Sequence, residues 1–396
     1  MDKIQHTQAD RHGGNPLAAQ ARYAFPDGPL LDFSASINPL GLPDGLEECL
    51  SAAVADLVHY PDPDCTALRT AHTGYTGMPP EWILPGNGAS ELLHLWFQAE
   101  KPRRVLLTAP SFLEYERAAR LAGSETVWYR LPAENGFRPD WNALTEALDA
   151  LSSNTDAVVF CNPCNPTSVL SRGPEWHAFL AEASRRNLRV LVDEAFIELT
   201  AAGTKDSIAP LVPTLPGLSV LRALTKVFAL PGLRIGYLLA APENLAALRD
   251  LQIPWSVNTL AQRAGCMLPQ AEPFLASTRA WAAEEPHRMA QALNRLPGWQ
   301  AVRPDANFIL SDIRGTGLTA EMLQASLAPH GFLIRNASGF RGLTPYHVRL
   351  AVRSRDENDR LLESLQAVIL RQSIIHPVAQ QSSVIRMPSA AATPSP

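Results

Sequence analysis

Lys226 lies in the run Leu224-Thr225-Lys226-Val227-Phe228-Ala229-Leu230-Pro231-Gly232-Leu233-Arg234-Ile235-Gly236-Tyr237. It is the lone lysine of a mostly apolar segment, and one arginine, Arg234, follows eight positions later. Apolar surroundings disfavour an ammonium ion and push lysine toward its neutral amine. A neutral amine can condense with an aldehyde. Arg234 adds a fixed cation suited to a phosphate. An aldehyde-binding lysine with a phosphate-binding arginine is what pyridoxal 5′-phosphate (PLP) requires. Taken alone, the segment reads equally well as a loop with a surface lysine between strands.

Other groups could complete such a site. Gly86-Asn87-Gly88-Ala89-Ser90-Glu91 follows a short apolar run and opens a helical pattern. Small residues let a phosphate approach the backbone, and free N–H groups at a helix start face it. Gly88, Ala89 and Ser90 are the candidates; as plain structure they are a tight turn with Ser90 as N-cap. The run is neither G-x-G-x-x-G nor a Walker loop. Asp193, in Val192-Asp193-Glu194-Ala195-Phe196, ends an apolar run. A buried aspartate needs a cationic or donor partner. A protonated pyridine nitrogen would be one, and Asp193 would then strengthen the ring as an electron sink. Otherwise Asp193 caps the next helix. Asn165, in the rigid turn Asn162-Pro163-Cys164-Asn165-Pro166-Thr167, could donate to a phenolic oxygen. Phe112, after Pro110-Ser111, could cover one face of a flat ring or fill the core.

The elements that must carry these residues alternate. Candidate strands are 104–109, 125–129, 157–161, 189–193, 219–223 and 235–240; helical patterns include 90–98, 113–122, 141–151 and 175–186. The expected fold class is α/β, with a mostly parallel sheet covered on both faces. Ligands gather at the carboxyl ends of such strands, where Asp193, Asn162 and Asn165 fall. A smaller α+β region is expected over 258–372: a helix at 272–295, strands at 299–303, 307–312, 332–335 and 347–352, and a last helix at 355–370. Residues 51–257 form the larger cofactor-holding domain. The Pro- and Gly-rich stretch 1–50 reads as an arm, and 373–396 as a disordered tail.

Composition bounds the partners. The 396 residues carry 34 basic and 39 acidic side chains, a net charge of -5. This gives no reason to expect nucleic acid or anionic lipid. No run approaches the roughly 18 apolar residues of a membrane helix. Residues 1–15 lack the apolar core of a signal peptide, which points to the cytoplasm. Five cysteines, an odd and sparse set, argue against a disulfide framework. Cys161-Asn162-Pro163-Cys164 has no matching second pair, so no metal is expected.

The order is Gly-rich helix start, aromatic, Asn-Pro turn, strand-end Asp, then lysine with arginine. It resembles that of the fold type I, aminotransferase-like PLP enzymes over roughly residues 30 to 355. Within that superfamily, His59-Tyr60-Pro61-Asp62 is similar to the Tyr-Pro-Asp motif of the histidinol-phosphate aminotransferase branch. The resemblance implies a homodimer in which Tyr60 reaches the cofactor phosphate of the neighbouring subunit. It also places Thr225 beside Lys226 in the cofactor set.

His12-Gly13-Gly14-Asn15 and Leu31-Asp32-Phe33-Ser34-Ala35-Ser36-Ile37-Asn38-Pro39-Leu40-Gly41 resemble segments of the L-threonine-O-3-phosphate decarboxylases of cobalamin biosynthesis. In that family the His-Gly-Gly-Asn arm folds back over the active site. The resemblance implies that His12, Asn38 and Asn165 meet the substrate. Arg349 would grip its carboxylate and Arg335 its distal phosphate. Read without the family, both arginines are solvated strand residues. One departure is Phe196. Many aminotransferases of the branch have a tyrosine there that donates to the cofactor's phenolic oxygen, so that oxygen would lean more on Asn165.

The activity implied is decarboxylation of L-threonine O-3-phosphate to (R)-1-amino-2-propanol O-2-phosphate, a small-molecule reaction with Lys226 and Asp193 as catalytic residues. A histidinol-phosphate or related aminotransferase is the alternative, since the lysine and sheet motifs do not separate the two. A non-enzymatic PLP-fold regulator would need an N-terminal winged-helix domain, for which the chain has neither room nor basic charge.

Overall fold

The structure, a computed structural model, describes residues 13–26, 28, 30–152 and 155–375. His12 and the tail from 376 onward lie outside the described residues.

The larger sheet has seven strands: β2 (Ile83–Gly86), β3 (Arg104–Ala109), β4 (Glu125–Arg130), β5 (Asp156–Cys161), β6 (Arg189–Asp193), β7 (Leu218–Ala223) and β8 (Gly236–Leu239). These follow β1 (Leu31–Asp32) of the arm. The spatial order is β2-β8-β7-β6-β5-β3-β4. Only β8 runs against its neighbours; the other pairings, β7–β6–β5–β3–β4, are parallel. The sheet is buried on both faces, as parallel strands require. Leu106, Val158, Val190 and Val192 pack with Trp176 and Phe179 on one face. Val105, Leu107, Val159 and Leu191 pack with Trp96 and Phe97 on the other. Each such side chain contributes roughly 1.5–3 kcal/mol by leaving water.

A second, antiparallel sheet contains β9 (Gln300–Ala301), β10 (Phe308–Asp312), β12 (Arg335–Asn336) and β13 (His347–Ala351), ordered β12-β13-β10-β9. Its apolar face, with Ile309, Val348 and Leu350, packs on Leu361 and Leu365 of the Arg355–Ile375 helix. That helix carries three residues of the expected tail, 373–375. The expected single strand 332–335 is two: β11 (Phe332–Leu333) pairs with β1, whereas β12 joins the second sheet. The chain changes partner at Ile334, whose side chain is buried in the second sheet's core.

The arm is stitched to this second region. Leu31 and Asp32 pair in parallel with Phe332 and Leu333. Phe33 N–H donates to Leu333 O at 2.7 Å, and Ala351 N–H donates to Phe33 O at 2.8 Å.

Candidate active site

A cavity of about 370 Å³ opens where the carboxyl ends of β5, β6 and β7 meet the second sheet and the arm. Lys226 lies in one helical turn, Leu224–Val227, directly after β7. Lys226 lines the cavity. Its pKa falls from 10.5 to about 8, first through burial and then through the cations of Arg349 and Arg234, with Asp193 opposing.

Asp193 ends β6 and is buried. Its Oδ2 accepts from the Tyr115 hydroxyl at 2.6 Å, and its Oδ1 from Ala195 N–H at 2.9 Å. Burial raises its pKa, and these donors and Lys226 oppose the rise.

Gly88 precedes the Ala89–Glu100 helix at φ +78°, and Ala89 and Ser90 line the cavity. A Cβ at Gly88 would lie 2.5 Å from Arg234 Nη2. The guanidinium therefore rests on bare backbone beside a helix start. Arg234 itself takes a left-handed φ of +61°, sparsely populated for a residue with a side chain. Its Nη1 donates to Pro231 O at 3.0 Å. Thr225 is buried and lines the same wall.

Phe112 also lines the cavity, its ring edge-on to Tyr115 at 5.6 Å. Asn165 is buried, and its Oδ1 accepts from Arg349 Nη1 at 2.6 Å. Arg349 Nη2 donates to Ser34 O at 2.7 Å, while its Nε has no hydrogen-bond partner among the described residues. The guanidinium lies 5.5 Å over the Phe308 ring, which meets Phe196 at 4.8 Å on edge. Burial and Arg335 press against the Arg349 charge. Arg335 is buried on β12, 5.8 Å from the Phe340 ring. It also reaches a second chamber of about 590 Å³ that adjoins the first.

Two expected site residues stand elsewhere. Asn38 does not line the cavity. Its Nδ2 donates to Val227 O and Thr278 Oγ1, both at 2.8 Å, and its N–H donates to Lys226 O at 3.0 Å. Its amide is committed to holding the lysine segment rather than a substrate. Tyr60 is 78% exposed, outside this chain's cavity, and stacks on Trp255 at 4.5 Å. His12 lies outside the described residues, but Gly13 lines the cavity and packs on Ser34. Gly14 N–H donates to Ser34 Oγ at 2.8 Å.

Sequence reading missed Tyr115, Cys161, Ser34 and Phe308. Tyr115 follows Phe112 by three, a spacing that places the two on one helix side; that was the available signal.

Residues 30–365 match the family profile described as Aminotransferase class I and II. The chain is 35% identical to the threonine-phosphate decarboxylase of Salmonella typhimurium, over 90% of this chain and 96% of that one. Two solved structures superpose well. The histidinol-phosphate aminotransferase from Clostridium acetobutylicum gives a TM-score of 0.80 at 29% identity, over 86% of this chain and 100% of that one. The L-threonine-O-3-phosphate decarboxylase from Porphyromonas gingivalis gives 0.75 at 27%, over 85% and 99%. The cofactor is PLP, and the residues fit it. Gly88 leaves room at a helix start beside Arg234, Lys226 lines the cavity, and Asp193 lies buried on its wall.

Proposed function

The chain belongs to the aminotransferase class I and II family, and we propose that it decarboxylates L-threonine O-3-phosphate. The products would be carbon dioxide and (R)-1-amino-2-propanol O-2-phosphate, for the nucleotide loop of cobalamin. The observation that carries this reading is the pair of buried arginines on one cavity wall, Arg335 opposite Arg349 in the β12–β13 ladder. A substrate with two anionic ends suits two such cations. The packing of Gly13 on Ser34 at the cavity edge adds support, as does the likeness to the Salmonella enzyme.

When bound, PLP supplies an aldehyde for the substrate amine and a ring that takes up the electron pair released at Cα. The chain's residues do the rest. Gly88, Ala89, Ser90, Thr225 and Arg234 hold the cofactor phosphate. Asp193 keeps the ring nitrogen protonated, Phe112 covers a ring face, and Asn165 serves the phenolic oxygen. Arg349 grips the substrate carboxylate and Arg335 its phosphate. This grip would select the Cα–carboxylate bond as the one that breaks with loss of carbon dioxide, and Lys226 would return the proton that takes its place at Cα.

In this reading the arm (1–50) packs on the smaller region (258–372) and on the active site of the larger, cofactor-holding region (51–257). A second copy of the chain covers the exposed Leu57, Val58, Tyr60, Ile253 and Trp255, and its Tyr60 reaches this chain's cofactor phosphate. The deciding assay is incubation with L-threonine phosphate and no keto acid, with carbon dioxide as the readout. Efficient transamination of histidinol phosphate with no carbon dioxide from threonine phosphate would replace this reading with the aminotransferase one.

A further inference from the structure

Asp193 is held by more than its own strand. Tyr115, on the Leu113–Leu121 helix, is buried among Ala118, Ala119 and other apolar groups. A phenylalanine would fill that space without burying a hydroxyl, which costs free energy unless it is bonded. The hydroxyl donates to Asp193 Oδ2 at 2.6 Å, and Cys161, whose thiol donates to Pro163 O at 3.3 Å, lies in the same buried cluster. Cys161 Sγ in turn accepts from Asn165 N–H at 3.4 Å. The Tyr115 ring also stands edge-on to Phe112. One side chain thus touches both the carboxylate of Asp193 and the ring of Phe112.

We propose that Tyr115 is a positioning residue of the cofactor site, fixing the orientation and ionised state of Asp193 toward the ring nitrogen. The inference rests on the reading of Asp193 as the ring-nitrogen partner. The two donors on Asp193 occupy one oxygen each, so the carboxylate is held against rotation about Cβ–Cγ. The titratable groups facing it are Tyr115 from the Leu113–Leu121 helix, Cys161 from β5 and Lys226 after β7. Burial and Asp193 push the Tyr115 phenol well above its ordinary range, and burial does the same to Cys161. Both therefore stay protonated through neutral pH. Loss of the Tyr115 donor leaves burial less opposed and raises the Asp193 pKa.

The test uses the full chain and the dissociation constant for PLP between pH 5 and 8, in wild type, Tyr115→Phe and Asp193→Asn. Tyr115→Phe keeps the ring against Phe112. It should weaken PLP binding roughly tenfold at neutral pH, the scale of a hydrogen bond to a charged group. The acid limb of the binding curve should move to higher pH. Site-specific replacement of Tyr115 by 3-fluorotyrosine, a stronger donor, should move that limb to lower pH. The turnover number should fall in Tyr115→Phe while the substrate KM changes by less than about twofold. Uniform weakening at every pH, with the limb unmoved in both variants, would make Tyr115 a packing residue and overturn the proposal. If Asp193→Asn binds PLP as wild type does, the reading of Asp193 fails and takes this inference with it. If Asp193→Asn is crippled but neither Tyr115 variant moves the limb, only the inference fails.

Discussion

Arg335 and Arg349 sit directly opposite each other across the β12–β13 ladder. Like charges in that relation repel, and both side chains are buried. The acceptors of Arg349 among the described residues, Asn165 Oδ1 and Ser34 O, are uncharged, and Asp32 offsets the Arg335 charge only in part. An anionic ligand held between them would relieve this repulsion. Arg335→Ala should therefore cost phosphate-bearing substrates about ten- to hundredfold in specificity constant, while leaving the weak use of unphosphorylated threonine unchanged. Arg349→Ala should hurt both. Steady-state kinetics on the two substrates check this, and an equal loss from Arg335→Ala would refute the phosphate assignment.

Lys226→Ala should abolish cofactor that borohydride can fix to the protein, and peptide mapping should find the wild-type adduct on Lys226. In the cofactor-free chain the amine should titrate near its shifted value of about 8. Arg349→Met removes a nearby cation and should raise that value, read by the pH dependence of amine labelling. Because the folded pKa lies below the ordinary 10.5, the unfolded chain binds more protons between these values. Stability should rise with pH across that window, and Lys226→Met should erase the Lys226 share of that rise.

Asp193→Asn keeps the shape of the side chain and removes its charge. Turnover should be largely lost while the far-ultraviolet circular dichroism stays unchanged. Near-normal turnover would leave Asp193 as an element cap only.

Below the site lies a buried ion cluster. Arg222 meets Glu194 at 2.9 Å and Glu198 at 2.6 Å, and Ser207 Oγ accepts from Arg222 at 2.7 Å. Arg222→Met leaves two buried carboxylates without their cation and should destabilise by about 3–5 kcal/mol. Urea unfolding measures this, and a loss under 1 kcal/mol would mean water reaches the cluster.

Val58→Asp combined with Ile253→Asp charges the exposed apolar face around Tyr60. Light scattering should find a dimer for wild type and a monomer for the variant, with turnover lost. Full activity of a wild-type monomer in dilute solution would refute the shared site.

The strands that bear the chemistry were legible because they are short, branched apolar runs ended by polar residues. The expected 104–109 and 189–193 coincide with β3 and β6. β2 was not foreseen: Pro85 and Gly86 obscure it, and it survives as an edge strand paired on one side to β8. The expected helix 141–151 tightens after Glu146 into a narrower turn over Ala147–Ala150. Asn38 carried the right motif but its contacts run to the lysine segment, which sequence order does not reveal. Tyr115 had only its spacing from Phe112 to mark it. Its neighbours form an ordinary apolar helix face, and only the fold brings Asp193, 78 positions later, onto its hydroxyl.

The pairing of β1 with β11 has a consequence for synthesis. The strands of the large sheet, 83–239, are all translated while the partner of Leu31 and Asp32, at 332–333, does not yet exist. Chains fold by regions as they leave the ribosome. The earliest-made segment of the site must therefore wait, unpaired, until nearly the last-made one emerges. Ser34 meets Arg349 only then, so a ribosome-bound chain stalled before residue 332 would carry Lys226, Gly88 and Arg234 but neither Arg335 nor Arg349.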